Sequence, residues 1–167
     1  MSGGCERLTR SDVDEFVRPA TAHDLPELRV LERSYRLAIA STSRGGAQWL
    51  RDAPEVGESG WSVRLNDPNA TTYVAGVDGV VLGYASMTVV QRGKSDTVAL
   101  IEAIFVDEGA RELGLGDSLL AALIESATLS GASEIESNTL PGDRDTKNLY
   151  ERAGLVARLL TVSKSLT

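Results

Sequence analysis

One stretch, Val98 to Ile124 (VALIEAIFVDEGARELGLGDSLLAALI), restricts the folds open to this 167-residue chain more than any other. Val98 to Val106 is apolar except for Glu102 and is short enough to be a buried strand. Asp107-Glu108-Gly109 breaks it. Arg111-Glu112-Leu113-Gly114-Leu115-Gly116 follows, and then Leu119, Leu120, Leu123, Ile124 and Ala127 recur at helical spacing until Gly131 supplies a stop. A strand, a glycine turn and a helix in that order put the glycines at a helix N-terminus.

The first turn of a helix leaves backbone N–H groups without partners and carries the positive end of the peptide dipoles, so it attracts anions. Glycines at 114 and 116 let a phosphate approach the backbone with no Cβ in the way, and Arg111 can add a charge-assisted contact. A tight strand-to-helix turn with a surface arginine fits the same residues, and the spacing by itself does not choose. A P-loop nucleotide site is disfavoured because its Lys-Ser/Thr ending is missing.

The hexapeptide Arg111 to Gly116 resembles the signature of the GNAT superfamily of acyl-CoA-dependent N-acetyltransferases: Arg or Gln, two residues, Gly, one residue, then Gly or Ala. Ile104-Phe105-Val106-Asp107 looks like the end of that family's fourth strand. Leu149-Tyr150-Glu151-Arg152-Ala153-Gly154-Leu155 looks like its later YExxGF element, with Leu155 in place of the usual aromatic. The resemblance covers Glu15 to Lys164. It implies a mixed α/β fold: a splayed, mostly antiparallel sheet flanked by helices.

It also implies a chemistry, transfer of an acetyl group from acetyl-CoA to a primary amine by direct attack in a ternary complex. On that resemblance the pyrophosphate of the donor lies on Arg111, Glu112, Leu113, Gly114, Leu115 and Gly116. The pantetheine arm pairs with the strand at Ile104, Phe105 and Val106, and Tyr150 is the general acid for the departing thiolate. Where the family commonly has Asn, seven residues before that tyrosine, this chain has Asp143, which can instead cap a helix. An amphipathic-helix core tyrosine is the structural alternative for Tyr150. For the base, Glu102 interrupts an apolar strand, as a carboxylate turned to a solvated cleft or buried and shifted would. Glu136 is its rival, and a mechanism with no protein base stays open. A GNAT-like module that binds acyl-CoA for sensing or assembly without turnover is the alternative function.

Composition sets outer limits. The length suits one domain, expected over residues 15–167 behind a polar, mobile tail at residues 1–14 that contains the lone Cys5. A 42% share of hydrophobic residues is that of an ordinary globular chain. The formal charge of −7, with no Lys/Arg cluster, argues against nucleic acid as a partner and leans toward cationic acceptors. One cysteine and one histidine, His23, leave no disulfide and no metal site of the Cys/His type. No apolar run reaches the ~20 residues of a membrane span, and the N-terminus lacks a signal-peptide core, so the expected location is cytoplasmic. The expected acceptor is a small-molecule or peptide amine, and a homodimer is possible.

Along the rest of the chain, Glu15 to Pro19 is expected as a strand, and Leu25, Leu28, Leu31, Tyr35 and Ile39 mark one helix face. Ala47 to Leu65 suggests an irregular helical pair broken near Pro54. Two strands meet at the hairpin signal Asp78-Gly79. A short strand from Glu134 to Asn138 precedes a helix starting near Asp143, and Leu155 to Ser163 is expected as a last strand from its Val, Leu and Thr content.

Overall fold

A computed structural model describes residues 13–42, 44–53, 55–164 and 166. Most of the expected tail, residues 1–12 with Cys5, lies outside them. The elements run β1 (Glu15–Pro19), α1 (Leu25–Ser41), α2 (Gly46–Asp52), α3 (Gly57–Leu65), β2 (Ala70–Val77), β3 (Val80–Arg92), β4 (Asp96–Val106), α4 (Leu115–Leu129), β5 (Glu134–Ser137) and α5 (Arg144–Arg152).

The strands form one sheet in the order β1-β2-β3-β4-β5. The first three pairings are antiparallel and the last is parallel. Asp78 and Gly79 take φ of 49° and 80°, the paired positive values of the tight turn that joins right-twisted strands, and so close β2 onto β3. A parallel partner cannot be reached by a hairpin, and α4 supplies the crossover from β4 to β5.

Two irregularities of β4 shape everything near it. Its pairing with β5 covers only Val98 to Ile101, so the remaining strand has no partner on that side and the sheet splays open. On its other side, Met87 pairs with Ile101 and Ser86 with Ala103. Glu102 is therefore the extra residue of a β-bulge. Such an insertion leaves one residue out of the ladder and reverses the inside-outside alternation beyond it. Ala99 and Ile101 face α4 before the bulge, and Ile104 faces it afterwards.

Each sheet face is covered. On one, Ala75, Ala85, Met87, Ala99, Ile101 and Ile104 pack against Leu115, Leu119, Leu120 and Leu123 of α4, with Tyr150 of α5 at the margin. On the other, Val74, Tyr84 and Phe105 meet Leu28 and Leu31 of α1 and Trp61 of α3. α5 ends in a Schellman motif: Leu155 N–H donates to Tyr150 C=O and Gly154 N–H to Glu151 C=O, with Gly154 at φ 84°.

The expected last strand does not form. Leu155 to Lys164 joins no ladder, and Val156, Leu159, Leu160 and Val162 are exposed. β-propensity measures fit to a neighbouring strand, and these side chains have no neighbour to fit.

Candidate active site

The glycine turn sits where the splay begins. Asp107 accepts a hydrogen bond from Gly109 N–H (3.1 Å) and starts a 3-10 turn over Glu108–Leu113. Arg111, Glu112 and Leu113 are therefore wound up, not part of an open loop. Gly114 then takes φ 78°, and α4 starts at Leu115. A Cβ on Gly114 would meet no protein atom within 4 Å, whereas one on Gly116 would sit in ordinary contact with Leu149 at 3.6 Å and Val106 at 3.9 Å. Protein packing thus leaves space above Gly114, at a turn of helix whose N–H groups favour an anion. That suits a pyrophosphate. Leu115 is in the core, so only its backbone can contribute, and Leu113 packs partly against the same core. Arg111 is half exposed, 3.5 Å from the Asp145 carboxylate. Asp117, a negative charge in the first turn of α4, is matched by the forked guanidinium of Arg152 at 3.0 Å.

Ile104 and Phe105 are both buried, and they face opposite sides of the sheet. With Val106 they can therefore offer a ligand only their backbone edge. That edge is the one β5 leaves free.

A narrow cleft occupies the splay, lined by Tyr35, Ile39 and Trp49 from the helices, Glu102, Ala103 and Ile104 from β4, Ser137 to Leu140 after β5, and Asp143, Thr146 and Tyr150 from α5. Its volume is about 10 Å³, roughly the space of one water.

Tyr150 forms one wall, with the ring buried and the hydroxyl accepting a hydrogen bond from Ser137 Oγ at 2.8 Å. Burial pushes this phenol up to about 12, against the opposing effect of the Ser137 hydrogen bond. Its own proton is thus retained at neutral pH and is not used on Ser137. Asp143 also reaches the cleft, and its carboxylate caps α5 by accepting from Thr146 N–H at 3.1 Å.

The two candidate bases separate. Glu136 is gripped by Arg92 through two hydrogen bonds, at 2.5 and 2.7 Å, which hold its carboxyl below the ordinary range, and it does not line the cleft. Glu102 does line it. The bulge turns this carboxylate out of the ladder, where Arg64 of α3 forms an ion pair with it and Thr88 Oγ1 donates to it at 3.2 Å. Among the described residues no group of three or more His, Cys, Asp or Glu could hold a metal ion.

Arg64 and Ser137 were not legible as site residues, whereas Tyr35 and Trp49 fall in the segment Tyr35 to Trp61 that the resemblance implies for the acceptor pocket. Arg64 is an ordinary helix arginine until β4 is set beside it, and Ser137 gains meaning only through Tyr150.

A family model, "Acetyltransferase (GNAT) family", matches residues 29–155. This is shorter at both ends than the span read from the motifs. An aminoglycoside N(6')-acetyltransferase type 1 from Serratia marcescens is 30% identical over 113 residues, 65% of this chain and 77% of the relative. One of the same description from Salmonella typhimurium is 28% identical over 94 residues, 54% of this chain and 65% of the relative. Among solved structures, AAC(6')-Iy in complex with a CoA bisubstrate analogue superposes with a TM-score of 0.67 at 22% identity, covering 91% of this chain and 99% of that one. Protein BH1408 from Bacillus halodurans superposes with a TM-score of 0.79 at 20% identity, covering 90% and 99%. At those identities the structures speak for the fold alone.

Proposed function

The chain belongs to the acetyltransferase (GNAT) family, whose transfer of an acetyl group from acetyl-CoA to an amine is its chemistry too, and from that premise we propose that its acceptor is an amino sugar of the aminoglycoside class. The observation that carries the proposal is one cleft with Tyr150 and Glu102 in its walls, opening beside the free edge of β4. Tyr35 and Trp49 offer apolar faces to a sugar ring, and Glu102 and Asp143 offer carboxylates to its ammonium groups. The relative from Serratia marcescens supports the same class.

Acetyl-CoA, when bound, supplies the thioester carbon that the amine attacks. In this reading the N–H groups at the start of α4 hold the pyrophosphate, and the backbone of Ile104 to Val106 aligns the pantetheine. Glu102 takes the proton that the acceptor ammonium must lose before its nitrogen can attack. Tyr150 donates a hydrogen bond to the sulfur as the carbon–sulfur bond breaks. A phenol near 12 is a weaker acid than an ordinary thiol (~8.5), so Tyr150 keeps its proton and stabilises the departing thiolate through this hydrogen bond. Ser137 holds the phenol oxygen in place as it donates.

A thiol-release assay across aminoglycosides, simple amines and amino acids tests the assignment, with turnover expected first for the amino sugars. Calorimetry on Gly114→Val tests the donor site: the folded variant should bind acetyl-CoA at least about tenfold more weakly, a change of ~1.4 kcal/mol. Parental affinity would remove the glycine turn from the donor site. An enzyme that turned over only acidic acceptors would overturn the acceptor assignment.

A further inference from the structure

Arg64 has no part in the chemistry above, yet its surroundings are unusual. Its side chain is only 15% exposed. Its Nε is buried with no hydrogen-bond partner. Burial pulls the guanidinium down from its ordinary range, with Tyr84 and Asp67 acting in the opposite sense. A surface helix rarely sends an arginine inward to leave a nitrogen unpaired, because the desolvation is costly. What the inward position provides is contact with β3 and β4: one Nη2 reaches Thr88 Oγ1 at 3.2 Å and pairs with the Glu102 carboxylate.

Thr88 closes the arrangement. Its hydroxyl accepts from Arg64 and donates to Glu102 Oε1, while Arg64 pairs with Glu102 Oε2. Both carboxylate oxygens are therefore tied on the protein side, in a residue that also lines the cleft. Without these ties, a glutamate on a bulge at 44% exposure would sample several rotamers.

We propose that Arg64 is a positioning residue of the acceptor site: it fixes Glu102 against the β4 bulge so that the carboxylate is aimed at the incoming ammonium group. The inference rests on the reading of Glu102 as the acceptor-side carboxylate. It gives α3 a function, since this helix otherwise only covers the sheet. It also makes acceptor recognition depend on three elements, α3, β3 and β4, clamped at one carboxylate. The other ionisable groups around the cleft, Tyr35, Asp143 and Tyr150, make no bond to Glu102.

The test is a double-mutant cycle with Arg64→Gln, Glu102→Gln and the double variant, followed by acceptor kcat/KM, acetyl-CoA Kd and thermal stability. Arg64→Gln should lower acceptor kcat/KM about tenfold, the scale of a lost charge-assisted contact, with acetyl-CoA affinity within about twofold of the parent. Glu102→Gln should lose at least as much, and the double variant should lose no more than Glu102→Gln alone, because the two act as a unit. Arg64→Lys keeps the charge and should recover part of the loss. Additive losses, or an equal loss of acetyl-CoA affinity, would mean that Arg64 is structural and would overturn the proposal. A gain in acceptor affinity in Arg64→Gln would overturn it too, by making Arg64 a competitor of the acceptor. If Glu102→Gln is itself silent, the reading of Glu102 is what has failed, and the proposal falls with it. Should Arg64→Gln not fold, Thr88→Val removes the other tie on Glu102 and carries the same expectations.

Discussion

The two faces of the sheet are built from different materials. The face under α4 is almost wholly aliphatic, Ala, Leu, Ile and Met, with Tyr150 as the polar exception among its buried residues and Tyr73 partly buried beside them. The face under α1 and α3 is aromatic: Trp61 and Tyr84 meet edge to face at 5.6 Å, and Tyr35 lies 6.4 Å from Tyr84 and 5.9 Å from Phe105. Buried charge accompanies the aromatics. Glu32 accepts from Trp61 Nε1 (2.8 Å) and from Val56 N–H (2.7 Å), and so fastens the entry of α3 to α1. Aliphatic contact is non-directional and makes a platform, whereas rings and carboxylates fix angles and make a mould. The helix proposed to hold the donor rests on the platform. The residues assigned to the acceptor stand on the mould.

The largest expected effect probes the platform. Leu119 is fully buried on α4, and Leu119→Ala should cost about 2–5 kcal/mol in denaturant unfolding, with the acceptor KM of the surviving folded protein unchanged. A raised acceptor KM at unchanged acetyl-CoA affinity would break the division of labour.

Next is the exception on that face. Tyr150→Phe removes one hydroxyl and its 2.8 Å bond to Ser137 while keeping the ring. Turnover at saturating acceptor should fall ~100-fold, the scale of one general acid, with stability down by only about 1 kcal/mol. Parental turnover, in an enzyme shown by pre-steady-state kinetics to be limited by chemistry, would refute the role.

Glu32→Gln sharpens the contrast from the other side. An amide cannot accept from both N–H donors, so one donor faces another, at a cost of about 1–3 kcal/mol. Because the loss loosens α3, acceptor KM should rise while acetyl-CoA Kd stays put. If calorimetry found both affinities altered, the faces would not be independent.

The smallest effect lies at the edge of the mould, where Asp24 accepts two hydrogen bonds from Arg18 at 2.7 Å and one from Thr21 N–H at 2.8 Å. The Arg18 hydrogen bonds, ahead of burial's opposing effect, hold its carboxyl below the ordinary value of 3.8. A depressed carboxyl adds stability above its unfolded pKa and loses it as pH falls through the folded one. Asp24→Asn should therefore cost about 1–2 kcal/mol near neutrality, and the gap between parent and variant should close below about pH 4. A gap that persisted there would mean that packing, not charge, is what Asp24 contributes.

The same contrast explains what could be read in advance. α4, its glycine turn and the Asp78-Gly79 hairpin are written in contiguous residues, with periodicity and turn chemistry sufficient to place them. The Tyr150 to Leu155 element is likewise local, and its Schellman hydrogen bonds account for both Gly154 and Leu155. The mould is not local. Glu32 and Trp61 are 29 residues apart, and nothing near either one announces the other. Arg64 reads as a solvent-facing charge until β3 and β4 are laid beside it. Glu136 stood as a rival to Glu102 because the reach of Arg92 across β4 leaves no trace in the order of residues. The misplaced last strand has the same origin, since composition tells what a segment could pair with and not whether a partner waits.

The bulge at Glu102 behaves like a frameshift written into the sheet. Upstream of it, odd-numbered residues such as Ala99 and Ile101 point to the platform; downstream, the even-numbered Ile104 does, and Phe105 points to the mould. Substituting Glu102 changes one side chain. Excising it would restore strict alternation with Ile101 and Ile104 still on the platform and Ala103 and Phe105 still on the mould, because the ladder to β3 already steps from Ile101 to Ala103 without it. A descendant of this chain could therefore shed the position and keep both faces, but it would lose the carboxylate and the bend that turns it out. In the reading of Glu102 as the acceptor-side carboxylate, identity and not length is what selection must hold fixed at 102, and loss of one codon there would be felt as a catalytic defect before it was felt as a folding one.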